Sequence, residues 1–116
     1  MSSPCFGRIV WAVITDTRGH AREIHPAVII TPDYRIAAGA RLQAVGVSTK
    51  GHFSTESART PLPYGPRGRC RTGLTRECWA FSDWVVELGV EDVHDYAGLV
   101  PPPVMVEILG KIPKPA

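Results

Sequence analysis

The chain has 116 residues, 44% of them hydrophobic and 21% charged, with a formal net charge of +2. That length suits one domain over residues 1–116 with a single core, and the composition excludes disordered, collagen-like and membrane-spanning classes. So small a net charge does not by itself indicate a nucleic-acid partner, so where the charge sits matters more than its sum.

The stretch from Gly7 to Thr31 organises the rest. Arg8 to Thr15 is almost continuously apolar and β-branched, and Ala27 to Ile30 repeats the pattern, which predicts two adjacent strands buried on at least one face. Between them, Thr15 to His25 is read as a loop carrying Arg18, His20, Arg22 and His25, with Gly19 for backbone freedom and Pro26 setting the exit direction. A rigid sheet would thus present a cationic loop to solvent.

Thr31 to Tyr34 is turn chemistry, and Arg35 to Ala40 has no clear period and is read as loop. Arg41 to Thr49 alternates, so that Val45, Val47 and Thr49 share one face and Leu42, Ala44, Gly46 and Ser48 the other. With the valines in the core, Ser48 lies on the outer face behind very small residues, where a ligand has room to approach. That favours Ser48 over Thr49 as a functional hydroxyl.

Lys50 to Thr72 carries Gly and Pro too densely for a helix or a central strand, although Ser57 to Pro63 suits an edge strand. Lys50, Arg59, Arg67, Arg69 and Arg71 outnumber the lone Glu56 there, which makes the local field positive. Glu77 to Leu88 is aromatic and β-branched, one bent strand or two short ones broken near Ser82-Asp83, with Trp79, Phe81 and Trp84 heavily buried. Gly89 to Val100 holds acidic residues and accommodates a helical turn. Pro101 to Pro103 then opens a helix whose stripe of Val104, Met105, Ile108 and Leu109 packs on the sheet, and Gly110 ends it. About six short strands and one late helix, without βαβ alternation, predict a small antiparallel barrel in a mainly β chain.

Cys5, Cys70 and Cys78 are odd in number and lack Cys-x-x-Cys spacing, so neither a disulfide framework nor a zinc site is indicated, and no cofactor or metal is expected. The N-terminus lacks the apolar core of a signal peptide, and no apolar run approaches the roughly 20 residues that span a bilayer. A cytoplasmic protein without a membrane partner is expected.

The order of strand, Thr17-Arg18-Gly19-His20, polar residues, a basic residue, then Pro26 to Asp33 resembles the start of the MazF/PemK toxins of type II toxin-antitoxin systems. The likeness continues through Gly73-Leu74, Ala80 to Val86 and Gly98 to Ile112. It implies an SH3-like barrel with a C-terminal helix, a homodimer, and a metal-independent endoribonuclease that cuts single-stranded RNA at a short sequence, leaving a 2′,3′-cyclic phosphate. It also implies a cognate antitoxin with an acidic tail. By the same resemblance the catalytic arginine precedes the proline that opens the second strand, and a threonine ends the third. Those positions hold His25 and Ser48 here, with Thr49 one residue on.

Cleavage of this kind needs a group to take the ribose 2′-proton, a group to protonate the leaving 5′-oxygen, and donors for the phosphoryl oxygens. Histidine for arginine exchanges a permanent forked charge for a group that titrates near pH ~6.5, so Arg22 is the candidate to take over the charge. The candidate catalytic set is His25, Ser48 and Arg22. Arg18, His20, Thr49, Lys50, Arg67, Arg69 and Arg71 are the candidate RNA contacts. Without the resemblance, the same histidines read as solvated loop residues, Ser48 as a turn former and the arginines as a solubilising loop. The alternative function is a non-catalytic or degenerate SH3-like barrel module that binds DNA, gyrase or an antitoxin-like partner.

Overall fold

A computed structural model of the chain describes residues 3–15, 22–49, 56–68 and 70–113. The strands are β1 (Arg8–Thr15), β2 (Arg22–Ile29), β3 (Leu42–Ser48), β4 (Arg59–Pro61), β5 (Trp79–Leu88) and β6 (Val93–Leu99). They form one six-stranded sheet in the order β4-β5-β3-β2-β1-β6, and every neighbouring pair is antiparallel. The mainly β architecture with a C-terminal helix is the one read from the sequence.

Both faces of the central strands are covered, which is why β1 is apolar at nearly every position rather than at every second one. Along it, Ile9 joins a cluster with Val28, Val45 and Val47, whereas Val10, Ala12 and Ile14 join a second with Ala27, Leu42, Phe81 and Trp84. The ends of the sheet, β4 and β6, are bridged by the segment between β4 and β5. Gly65 donates its N–H to the Leu74 carbonyl at 3.0 Å, and Gly98 and Leu99 of β6 donate to the Thr72 and Arg71 carbonyls, each at 2.9 Å. Thr72 Oγ1 also donates to the Pro63 carbonyl at 2.7 Å. The barrel is therefore closed by an irregular segment, which satisfies edge groups that would otherwise be open to pairing.

The C-terminal helix, α2 (Pro102–Gly110), starts on proline as its sequence dictates and buries Met105 and Ile108 in the first cluster. It runs through Gly110, one residue further than the glycine suggests. The buried Ser82 hydroxyl donates to the Ile108 carbonyl at 2.8 Å, and Lys111 Nζ donates to the Arg59 carbonyl at 2.8 Å, so both ends of the last turn are tied to the sheet.

Three local expectations change, and a fourth, left open between one strand and two, is decided. Residues 33–37 form a short helix, α1 (Asp33–Ala37), not a loop; Asp33 accepts the Phe6 N–H at 2.7 Å, which pins its first turn to the turn leading into β1. β2 begins at Arg22, not at Ala27, because the ladder with β1 continues to Thr15↔Arg22, and this places His25 inside a strand. The helical turn after Gly89 is only Val90–Asp92, and the acidic stretch continues as β6, whose Val93 and Tyr96 pack on the second cluster while Asp95 points to solvent. Finally, β5 is one strand, but its register with β3 jumps from Val45↔Val85 to Gly46↔Phe81. Ser82, Asp83 and Trp84 bulge out of the ladder, at the break expected from the sequence.

Candidate active site

β2 and β3 pair only over Ala27↔Gly46, Val28↔Val45 and Ile29↔Ala44. Pro26 has no N–H to extend that ladder, and the two strands part beyond it. Continuing the same register past the last pair sets Pro26 opposite Val47 and His25 opposite Ser48. The gap opened there is a pocket of about 490 Å³, lined by His25, Ser48 and Thr49 together with Glu23, Thr75 and Arg76. Its remaining walls are apolar: Trp11, Ile24, Pro26, Leu74 and Trp84. An imidazole, three hydroxyl residues, a carboxylate and a guanidinium thus line one space from three parts of the chain.

Trp84 shapes that space. The β5 bulge turns its ring onto Gly46, and a Cβ built at Gly46 would overlap the six-membered ring. The room expected beside Ala44 and Gly46 is therefore filled from within the protein, and the open approach to Ser48 lies between the ends of β2 and β3. The indole N–H donates to the Thr15 carbonyl at 3.1 Å, which anchors the ring to the end of β1. The ring then meets His25 in a T-shaped contact, with ring centroids 5.5 Å apart and planes inclined at 75°. Such edge-to-face pairs contribute about 0.5–1.5 kcal/mol and hold the imidazole in one orientation.

Glu23 lies two residues before His25 on β2, so both side chains leave the same face of the strand. Glu23 Oε2 is 3.4 Å from His25 Nε2. A carboxylate at that place favours the proton on Nε2 and leaves Nδ1 as the acceptor.

Cys78 lines the pocket too, but it is not a nucleophile at neutral pH. Burial pushes its thiol up to about 11, and the nearby Glu77 carboxylate adds to the effect. Cys70 is shifted the other way, because above all the Thr72 N–H favours the thiolate. Alkylation with iodoacetamide at pH 8 is accordingly expected to modify Cys70 well before Cys78, whose thiolate is scarce below the raised pKa. Peptide mapping by mass spectrometry checks this; equal labelling of both in the folded protein would contradict it.

Of the residues singled out from the sequence, His25, Ser48 and Thr49 meet in the pocket, and both hydroxyls reach it because Thr49 lies just past the end of β3, where strand alternation stops. Arg67 and Arg71 are exposed and lie outside it. Arg18, His20, Lys50 and Arg69 fall outside the described residues, as does the side chain of Arg22. Sequence reasoning missed Glu23 and Arg76, and it took Trp84 only as a heavily buried residue. Trp84 is indeed buried, yet it also forms the pocket floor. The period-two spacing of Glu23 and His25 would have been a signal had β2 been recognised as starting at Arg22.

No protein-family model matches the chain, and no curated protein does. Solved structures do. MazF from Deinococcus radiodurans is 20% identical, with 97% of this chain and 94% of that one covered, at a TM-score of 0.73. An endoribonuclease in complex with its cognate antitoxin, from a mycobacterial species, is 19% identical over 97% of this chain and 100% of that one, with a TM-score of 0.71. Another mycobacterial endoribonuclease is 20% identical over 97% and 89%, at 0.68. Over nearly its whole length this chain has the MazF fold.

Proposed function

We propose that this MazF-fold chain is the toxin of a type II toxin-antitoxin system, a sequence-specific endoribonuclease that cuts single-stranded RNA by acid–base chemistry in the pocket between β2 and β3. The observation that carries this reading is the meeting of His25 and Ser48 across one cavity, since an acid–base group and a hydroxyl donor are the minimum for ribose-assisted cleavage. The solved neighbours, an endoribonuclease and one bound to its cognate antitoxin, point the same way.

In the reaction, His25 Nδ1 takes the proton from a ribose 2′-hydroxyl, with Glu23 steadying the imidazolium that forms. The 2′-oxygen attacks phosphorus as the bond to the 5′-oxygen breaks, and solvent supplies the proton to the departing oxygen. Ser48 or Thr49 donates to a phosphoryl oxygen as charge builds on it. The products are a 2′,3′-cyclic phosphate and a 5′-hydroxyl, and no metal is required. Trp11, 38% exposed, and Ile24, 50% exposed, give the pocket an apolar rim against which a base can lie. The exposed Arg67 and Arg71 suit contacts with the RNA backbone, and an antitoxin with an acidic tail would cover the same basic surface. We place the active form as a homodimer in the cytoplasm, where the free Cys5, Cys70 and Cys78 suit reducing conditions. Among the described residues no helix is long and apolar enough to cross a membrane.

Incubation of the purified protein with an unstructured transcript in EDTA-containing buffer, followed by end-group analysis, tests this directly. Discrete fragments with cyclic phosphate and 5′-hydroxyl ends are expected. Intact RNA across pH 5 to 9 would overturn the nuclease reading and favour the second one, a degenerate barrel module that binds DNA, gyrase or an antitoxin without cutting. The imidazole at position 25, where the resemblance implies arginine, is what favours that alternative.

A further inference from the structure

We infer that Trp79 and Arg59 form a second nucleotide subsite outside the pocket, where the RNA strand lays a neighbouring base and phosphate. The inference rests on the ribonuclease reading for the class of ligand and carries the RNA path beyond the residues that line the cavity.

Ser48 stands at the edge of the pocket and pairs with Trp79 on β5, and Trp79 in turn pairs with Pro61 on β4. Opposed residues of antiparallel strands put their side chains on one face, with backbones about 5 Å apart. A row of Ser48, Trp79 and Pro61 therefore leaves the pocket across three strands and continues the line on which His25 faces Ser48. In the sheet order β5 flanks β3 on the side away from β2, so Trp79 lies beyond Ser48 from Trp11 and Ile24. A strand passing over the catalytic pair thus meets an aromatic surface on either side of it.

The composition of the row suits a nucleotide. Trp79, expected to be heavily buried, is only partly so where it packs on the second cluster, and Pro61 beside it is exposed. Arg59 precedes Pro61 by two positions, shares its face, and holds its guanidinium carbon 5.3 Å from the centroid of the Trp79 ring. The arginine backbone is fixed: it pairs with the fully buried Phe81, and its carbonyl accepts Lys111 Nζ at 2.8 Å. Ring and cation are therefore in place before a ligand arrives. An indole with a guanidinium over it gives a base a stacking surface and gives the adjoining phosphate a permanent positive charge. Stacking reads no base edge, so this subsite takes any base of a single strand.

The test uses mixed-sequence 2′-O-methyl RNA, which lacks the attacking hydroxyl, in two lengths: a dinucleotide that fills the pocket and a decanucleotide that also reaches past it. Binding is measured by calorimetry for the parent, Trp79→Leu, Trp79→Phe and Arg59→Gln. Trp79→Leu is expected to weaken the decanucleotide about 10–100-fold, the usual worth of one stacked base, and to leave the dinucleotide unchanged. Trp79→Phe should recover most of the loss because it restores a ring. Arg59→Gln should remove about 0.7 from the slope of log K against log salt for the decanucleotide alone, the signature of one phosphate contact on a single strand.

Decanucleotide binding by Trp79→Leu and Arg59→Gln within twofold of the parent overturns the subsite, and so does an equal weakening of both lengths, which marks damage to the pocket or the fold. Should Trp79→Leu fail to fold, the salt slope of Arg59→Gln decides. Neither negative result touches cleavage by the parent, on which the ribonuclease reading depends. Conversely, a parent that leaves unmethylated RNA whole while its decanucleotide binding depends on Trp79 keeps the subsite and loses the nuclease.

Discussion

Replacing His25 with alanine is expected to lower kcat/KM for RNA cleavage by about 10²–10⁴-fold, the range that positioned proton transfer contributes. No other described side chain in the pocket combines an acid–base group with this placement: Glu23 lies beside the imidazole, and the Cys78 thiol, raised to about 11, stays protonated. The fold should tolerate the change, since the imidazole side chain is 26% exposed and its main packing partner is the edge contact with Trp84. Single-turnover cleavage measured beside circular dichroism separates the two effects. A folded His25→Ala protein that cuts as fast as the parent would remove the imidazole from the mechanism. Glu23→Gln provides a graded companion: it keeps the shape beside Nε2 but removes the charge that stabilises the imidazolium, so its loss in rate should be smaller than that of His25→Ala.

The second large effect is expected at a residue that takes no part in chemistry. Gly46→Ala places a methyl group where the Trp84 ring lies, and there is little slack, because the ring is buried and its N–H is committed to the Thr15 carbonyl. Overpacking of this sort costs about 1–3 kcal/mol, sometimes more. For a chain of this size each kcal/mol lowers the thermal midpoint by several degrees, about 4–8 °C for the smaller domains. Activity should fall as well, since a displaced indole no longer holds His25 in place across from Ser48. Scanning calorimetry and the cleavage assay on Gly46→Ala check both consequences. Adding Trp84→Leu in the same chain should recover stability relative to Gly46→Ala alone while leaving the pocket floor incomplete. If Gly46→Ala is as stable and active as the parent, the glycine is not what admits the indole.

These expectations draw on different levels of organisation. The β1 segment was legible because burial on both faces demands an unbroken apolar run, and Arg8 to Thr15 supplies one. The terminal helix was legible because proline can start a helix and the stripe around Met105 and Ile108 has helical spacing. The break in β5 at Ser82-Asp83 showed for a similar reason: two polar residues interrupt an aromatic run, and the chain bulges there. By contrast, α1 and β6 have weak local signals. α1 is held by Asp33 accepting the Phe6 N–H, and β6 by the open side of β1, contacts that are remote in sequence.

The candidate site divides along the same line. Residue chemistry, with the family likeness, was enough to put His25 and Ser48 forward, since imidazoles, guanidiniums and hydroxyls crowd a short stretch between apolar strands. What decided their arrangement is long-range. The β1 ladder reaches back to Arg22 and makes residue 25 part of a strand, and Pro26 then ends pairing with β3 and opens the gap. Trp84 enters from a bulge 38 positions beyond the glycine it rests on, and Arg76 arrives on a span tied to β4. Local patterns record which faces must leave water, because that depends on neighbours a few residues away. Which side chains share a cavity depends on register and on how distant strands part, and only the folded sheet sets those.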